Sequence, residues 1–339
     1  MVTLLRSRAV LVGLAVGVPL SAVLLWLASR NADLAAVRAA LADAELGLVA
    51  LAIAAIAGVY LLQASRWRSI ARTPELPTRR FGEMVVSGVA VNDVLPGRIG
   101  DLLRARWLQV DARIPGGRAL ATVFVDRAFD VLALTLFLAI SLSFVASTAW
   151  LARIALGAFA LLGAVVLVLA GARVYTRRRP RERLRRGLVR RLLRDTVEGL
   201  ADPLGRRRGV LLVAISLGAW AMWAVAAMLV ARSLSIGLSP MEAMFVTAVV
   251  NLGVAIPSSP GFIGTYQWLA VSALALLSVP TDQALAFSIL MHAVWYVPTL
   301  VVGGVLLVRR LITRAHVLTL PRAPAADRDS SGVPAAEAR

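Results

Sequence analysis

The 339-residue chain is 59% hydrophobic and only 17% charged, with a mean hydropathy of +0.78. Soluble domains carry roughly 25% charged residues, so this composition excludes an ordinary soluble enzyme and points to a chain embedded in lipid. The net charge is +18 with every basic residue an arginine, and there is no cysteine and only His292 and His316 as histidines, which excludes disulfides, thiolate nucleophiles and thiolate or histidine-rich metal sites.

Six apolar runs approach or exceed the ~20 residues that a helix needs to cross the hydrocarbon core. They are Ala9 to Ala28, Leu46 to Ala64, Val131 to Ser147, Trp150 to Ala172, Gly209 to Ala231 and Ala284 to Val308. The first follows Arg6 and Arg8 like a signal peptide, but its length fits a retained span. Two further segments, Phe81 to Leu95 and Met241 to Ile256, are too short to cross and run directly into Pro and Gly, which read as half-helices. Arginine clusters set the orientation, because positive charge near span ends stays in the cytoplasm. The loop 30–45 has two arginines against three acids, the segment 66–80 has five against one, and 173–208 carries fourteen. The first therefore faces out and the other two face in, with both termini cytoplasmic in a multi-pass protein of the cell membrane. Six crossings satisfy this count only if both short segments enter and leave on one face, as re-entrant hairpins.

The first hairpin reads Asn92-Asp93-Val94-Leu95-Pro96-Gly97-Arg98-Ile99-Gly100-Asp101; the second has Asn251, then Pro257-Ser258-Ser259-Pro260-Gly261-Phe262-Ile263-Gly264. Each holds an Asn followed by Pro-Gly-x-Ile-Gly, and the orientation brings them in from opposite faces. That pattern predicts an inverted repeat whose broken helices meet near the midplane and offer helix ends to a polar ligand. Pro stops the incoming half-helix, Gly permits the turn, and the next half-helix presents free N–H groups suited to an anionic headgroup. The expected fold is an all-α polytopic membrane protein of six spanning helices plus two re-entrant hairpins. Its units are an N-terminal membrane repeat 1–172 with hairpin 81–110, an arginine-rich amphipathic linker 173–208, a C-terminal repeat 209–308 with hairpin 241–278, and a disordered cytoplasmic tail 309–339.

These hairpin residues, from Leu95 to Arg104 and from Ile256 to Gln267, resemble the flippase-like family that includes the transmembrane region of lysylphosphatidylglycerol synthases. The family's first motif usually ends Gly-Glu and its second usually reads Pro-Gly-Gly-Leu-Gly with a Glu three residues on. This chain has Asp101 for the first Glu, Phe262 for the second Gly and Gln267 for the second Glu. Asp101 keeps the charge, whereas Gln267 argues against ion coupling through the second hairpin. The chain also lacks length for an aminoacyl-transferring domain, so the resemblance implies lipid translocation without lipid synthesis.

Candidate headgroup contacts are Asn92, Arg98, Asp101, Arg104, Asn251, Ser258, Ser259 and Gln267, since arginine holds phosphate through parallel hydrogen bonds and amides serve as caps or ligands. Pro96, Gly97, Gly100, Pro257, Pro260, Gly261 and Gly264 are the expected helix breaks. Asp126, Arg127 and Asp130 share a helical face and suggest either coupling or an interfacial ion pair. Glu83 and Glu242 suit the first turns of the half-helices, and His292 is placed to hydrogen-bond Tyr296 four residues on. Membrane lipids, especially anionic headgroups, are the expected partners, with a lipid-modifying enzyme as a further possible one. A pI of 11.7 does not imply nucleic acid here, because the charge adjoins spans and no aromatic platform accompanies it. No nucleotide-binding, metal or nucleophile motif is present, so no cofactor is expected. The functions in play are lipid transporter, membrane-embedded lipid-modifying transferase, and non-catalytic accessory subunit of such an enzyme.

Overall fold

The computed structural model describes residues 8–95, 98–145, 206–254 and 259–319, with isolated helical positions between 157 and 167, and side chains within 17–313. All regular structure among the described residues is helical: α1 (Arg8–Ser29), α2 (Leu34–Ala42), α3 (Leu46–Ala71), α4 (Thr78–Val94), α5 (Ile99–Asp111), α6 (Gly116–Val145), α7 (Arg206–Ser233), α8 (Pro240–Gly253), a 3-10 turn (Pro260–Phe262), α9 (Thr265–Ala275) and α10 (Thr281–Thr319). Four helices, α3, α6, α7 and α10, are long and apolar enough to cross a bilayer. A fifth candidate is the pair α1 and α2, which meet at an 85° bend. The protein is thus a multi-pass membrane protein. The expected span at Trp150 to Ala172, apart from isolated helical positions, most of the amphipathic linker and residues 320–339 lie outside the described residues, while 309–319, expected to begin a disordered tail, continue α10 as helix.

The region read as an external loop, 30–45, holds helix α2 instead. Asp33 caps it by accepting the Ala35 N–H at 2.8 Å, and Asp282 of α10 accepts the Asp33 N–H at 2.7 Å. A short capped segment with one buried valine, Val37, forms a helix once a larger neighbour supplies the packing that its length cannot. The two expected half-helices are present as α4, 17 residues long, and α8, 14 residues long. At α8, Ser239 and Glu242 form a capping box and Pro240 occupies the first turn, so local sequence specifies that start.

From α3 onward the order long, short, short, long occurs twice, as α3 to α6 and as α7 to α10. The packing between the two sets is reciprocal: α3 lies against α7, α6 runs along α8, and α10 runs along α4. The main apolar core draws on both sets, with Val59, Leu134, Ala226, Phe245, Tyr266 and Phe287 among its buried members. A second core around Trp67, Phe81, Met84, Leu108 and Val123 draws its buried members from the first set, with Leu307 of α10 packed against it.

Two glycine contacts seat the second helix of each short pair, one on its partner and one on α1. The Asn92 Oδ1 accepts the Gly100 N–H at 2.7 Å, which caps α5 from the last turn of α4. There the helices cross so closely that a Cβ on Gly100 would stand 1.8 Å from the Gly88 carbonyl oxygen. In the second pair, Gly264 has φ +91° and a Cβ there would stand 2.0 Å from the Ser21 carbonyl oxygen, so α9 is seated directly on α1. Gly100→Ala is expected to lower the thermal unfolding midpoint in detergent, by overpacking worth about 1–3 kcal/mol. Gly304→Ala, where nothing lies within 4 Å, is expected to leave the midpoint unchanged or raise it slightly.

Candidate functional site

Charged side chains from α3, α5 and α6 form one buried network. Arg66, fully buried on α3, donates to Asp126 at 2.9 Å and to Asp130 at 2.8 Å. Its remaining nitrogen donates to Ser216 of α7 at 3.0 Å. Arg104 of α5 donates to the other Asp126 oxygen at 3.0 Å and lies 3.5 Å from Asp101, while its guanidinium covers the Trp67 ring at 4.3 Å. Arg127 bridges Asp101 at 2.9 Å and Asp130 at 3.2 Å. Three arginines thus meet three aspartates. Charge buried in low dielectric survives only with such matching and with hydrogen bonds to the remaining lone pairs. Trp220 of α7 supplies one of these, donating to Asp130 at 3.1 Å.

Above this network opens a cavity of about 220 Å³. Its polar side chains come chiefly from the first set of helices: Asn92 and Asp93 of α4, Arg98 just before α5 and Asp101 in its first turn, and Arg127 and Asp130 of α6. Its aromatic side chains come from α3 (Tyr60), α7 (Trp220 and Trp223), the 3-10 turn (Phe262), α9 (Tyr266) and α10 (Trp295). Ring centroids 5.6 Å apart for Trp220 and Trp223, 6.1 Å for Trp223 and Trp295, and 6.0 Å for Tyr266 and Trp295 make the aromatic part continuous. Asn251 and Leu252 of α8 complete the lining. The two interrupted segments therefore contribute to one cavity, and α4 also touches the Pro260–Phe262 turn. Arg98, exposed and in the left-handed conformation at φ 54°, faces the cavity with no ion pair among the described residues.

The residues singled out from sequence divide accordingly. Asn92, Arg98, Asp101, Arg127, Asp130 and Asn251 line the cavity. Arg104 and Asp126 lie behind it, engaged with each other and with Arg66. Ser259 and Gln267 lie elsewhere: the Ser259 N–H donates to the Ser21 hydroxyl at 3.0 Å, and Gln267 accepts the Gly264 N–H at 2.7 Å while its amide nitrogen meets His292 Nδ1 at 2.9 Å. His292 is therefore bonded to Gln267 and not, as its spacing suggested, to Tyr296, whose ring stands edge-on to it. Glu83 pairs with Arg79 and Arg80, and Glu242 serves its capping box. Gly100, Pro260, Gly261 and Gly264 stand at the helix breaks, whereas Pro96, Gly97, Pro257 and Ser258 lie outside the described residues.

Sequence reasoning missed Arg66, counted there among positive-inside arginines, along with Asp93 and the aromatic lining. One signal was available: Asp126 and Asp130, four apart on one face of a membrane helix, demand a cation from a neighbour. Which arginine answers is a matter of tertiary packing.

The network predicts strong non-additivity. Asp126→Asn leaves three guanidiniums to share two carboxylates, Arg66 keeping Asp130 and Arg104 only the longer contact to Asp101, and is expected to destabilise the protein by about 3–5 kcal/mol. Adding Arg104→Met restores charge balance and should recover part of that loss, read as a double-mutant cycle on thermal unfolding in detergent.

Known proteins resemble this chain over much of its length. The chain is 27% identical over 333 residues to a protein named Glycosyltransferase AglD, from Haloferax volcanii, with 85% of this chain and 53% of that relative covered. It therefore spans about half the length of AglD. It is 22% identical over 236 residues to the UPF0104 membrane protein MJ1078 of Methanocaldococcus jannaschii, covering 68% of this chain and 97% of that one. Residues 10–303 match the family described as the lysylphosphatidylglycerol synthase TM region, a stretch that takes in α1 through most of α10 and every side chain of the cavity. The chain is a member of the lysylphosphatidylglycerol synthase transmembrane-region family.

Proposed function

We propose that the protein moves an anionic or modified phospholipid, glycosylated forms included, between membrane leaflets by alternating access. The observation that carries this reading is the cavity itself, where an unpaired arginine and two asparagines stand beside a continuous aromatic lining. Arg98 holds the headgroup phosphate and the aromatic side accepts the glycerol and upper acyl carbons, while the rest of the chains stay in lipid. In this reading α4 with α5 and α8 with α9 are re-entrant hairpins entering from opposite faces, as halves of an inverted repeat within six crossings. Both termini are cytoplasmic and the cell membrane is the site of action. The reciprocal packing of the two helix sets supports this arrangement, because exchange between two equivalent packings is how such repeats open alternately to each side.

A second reading, a membrane part serving a lipid-modifying transferase, is favoured by one observation, the glycosyltransferase name of AglD. The buried network speaks against chemistry at the cavity, since Asp101, Asp126 and Asp130 are already matched by arginines and no metal-binding acid cluster occurs among the described residues.

The full chain reconstituted in liposomes with a fluorescent phosphatidylglycerol is expected to expose the inner-leaflet probe to an external quencher faster than empty liposomes do. Arg98→Ala should slow that exposure about tenfold or more, since a hydrogen bond to a charged group contributes roughly 1.5–3 kcal/mol. A probe confined to its leaflet, together with a new lipid product formed from a sugar donor, would instead establish the transferase.

A further inference from the structure

Asp93 has no place in the charge-matched network, and its surroundings differ from those of every other acid in the cavity. It is 2% exposed, it lines the cavity, and its Oδ2 has no hydrogen-bond partner. It occupies the last turn of α4, where the negative end of the helix dipole disfavours an added negative charge. Arg66, Arg104 and Arg127 are each engaged by Asp101, Asp126 or Asp130, and Arg98 forms no ion pair with Asp93. The ionisable groups around it on the packed elements are Tyr60 of α3, whose hydroxyl is engaged with Thr299 at 2.8 Å, Tyr296 of α10, Arg98 just before α5 and Asp101 in its first turn, and Arg127 and Asp130 of α6. A carboxylate isolated in this way inside a membrane is costly, and such a group marks a site where a proton or a cationic ligand is taken up.

The repeat sharpens the assignment. Asn92-Asp93 of the first hairpin corresponds to Asn251-Leu252 of the second, and both Asp93 and Leu252 reach the same cavity. The scaffold is duplicated; the free carboxyl is present on one side only. An unpaired carboxyl where the two helix sets meet changes its access to the two aqueous compartments when the sets exchange packings.

We propose that Asp93 is the proton-carrying carboxyl of the cavity and couples the movement of a phosphate-bearing lipid to a proton gradient. Asp93 Oδ2 takes a proton from water on one side, forming an O–H bond, and returns it to water on the other, breaking that bond; no electron transfer or second reactant is needed. This rests on the lipid-transport reading, and two measurements separate the two claims.

The first uses the full chain in liposomes of phosphatidylethanolamine and phosphatidylglycerol carrying the fluorescent phosphatidylglycerol, with and without an imposed pH difference. One proton per lipid and a difference of about one pH unit bias the leaflet ratio at most ~10-fold. The expected result is such a bias, abolished by a protonophore and absent in Asp93→Asn. A bias that persists in Asp93→Asn, or wild-type movement indifferent to the gradient, overturns the proposal. The second is reaction with a hydrophobic carbodiimide, which converts a protonated carboxyl in apolar surroundings to a stable acylurea detectable by peptide mass. Labelling is expected at Asp93 and not at Glu83, and its absence at Asp93 overturns the proposal even if Asp93→Asn fails to fold. If no probe moves at all, the lipid-transport reading falls, and carbodiimide labelling still decides whether Asp93 takes up a proton. Labelling blocked by phosphatidylethanolamine but not by phosphatidylglycerol would make Asp93 a headgroup-amine contact and overturn the coupling role.

Discussion

Six charged side chains meet between α3, α5 and α6, four of them buried (Arg66, Arg104, Asp126 and Asp130), and their pairing constrains how the first half of this protein packs. Each carboxylate and guanidinium carries a desolvation cost of several kcal/mol, recovered only when all the partners are in register. Arg66 sets that register. Its hydrogen bonds to Asp126 and Asp130 at 2.9 and 2.8 Å fix α3 against α6, and its bond to Ser216 ties both to α7. Arg104 then fixes α5, the second arm of the first interrupted pair, against the same Asp126. The arm cannot shift without breaking a buried ion pair, which holds Asn92, Arg98 and Asp101 at the cavity.

The second interrupted pair is held by different means. Gln267 joins the Gly264 backbone to His292, and Ser21 of α1 receives the Ser259 N–H. These bonds are neutral, and the neighbouring rings of Tyr266, His292 and Trp295 are in contact. The cavity therefore takes its charged side chains from α4 to α6 and most of its aromatic side chains, with the Asn251 amide, from α7 to α10 and the 3-10 turn. A lining charged on one side and aromatic on the other suits a ligand that is itself polar at one end and apolar at the other, which supports the lipid-transport proposal.

The membrane class, the positions of α3, α6, α7 and α10, and the half-length α4 and α8 were all legible in the linear pattern. Apolar run length reports hydrocarbon thickness directly, and Pro and Gly mark where a helix cannot continue. The external loop was misread at α2 because a short helix stabilised by a neighbour leaves little local signal. Residues that line the cavity were singled out where a motif supplied them, as with Asn92, Arg98 and Asn251, and passed over where only position mattered, as with Asp93. His292 took Gln267 in preference to Tyr296 because a partner brought in by another helix does not register in spacing along one helix.

Run lengths and repeated Asn and Pro-Gly-x-Ile-Gly motifs, taken along the chain alone, determined that this is a helical membrane protein with two interrupted segments. Tertiary structure alone decided which charges are solvated and which are sealed inside. Arg66 and Arg68 stand two residues apart in the same basic cluster, yet the first is buried among aspartates while the second caps backbone carbonyls at Leu76 and Pro74. The physical reason is that composition specifies how much charge a segment holds, whereas the cost of that charge depends on the dielectric and the counter-ions that folding places around it.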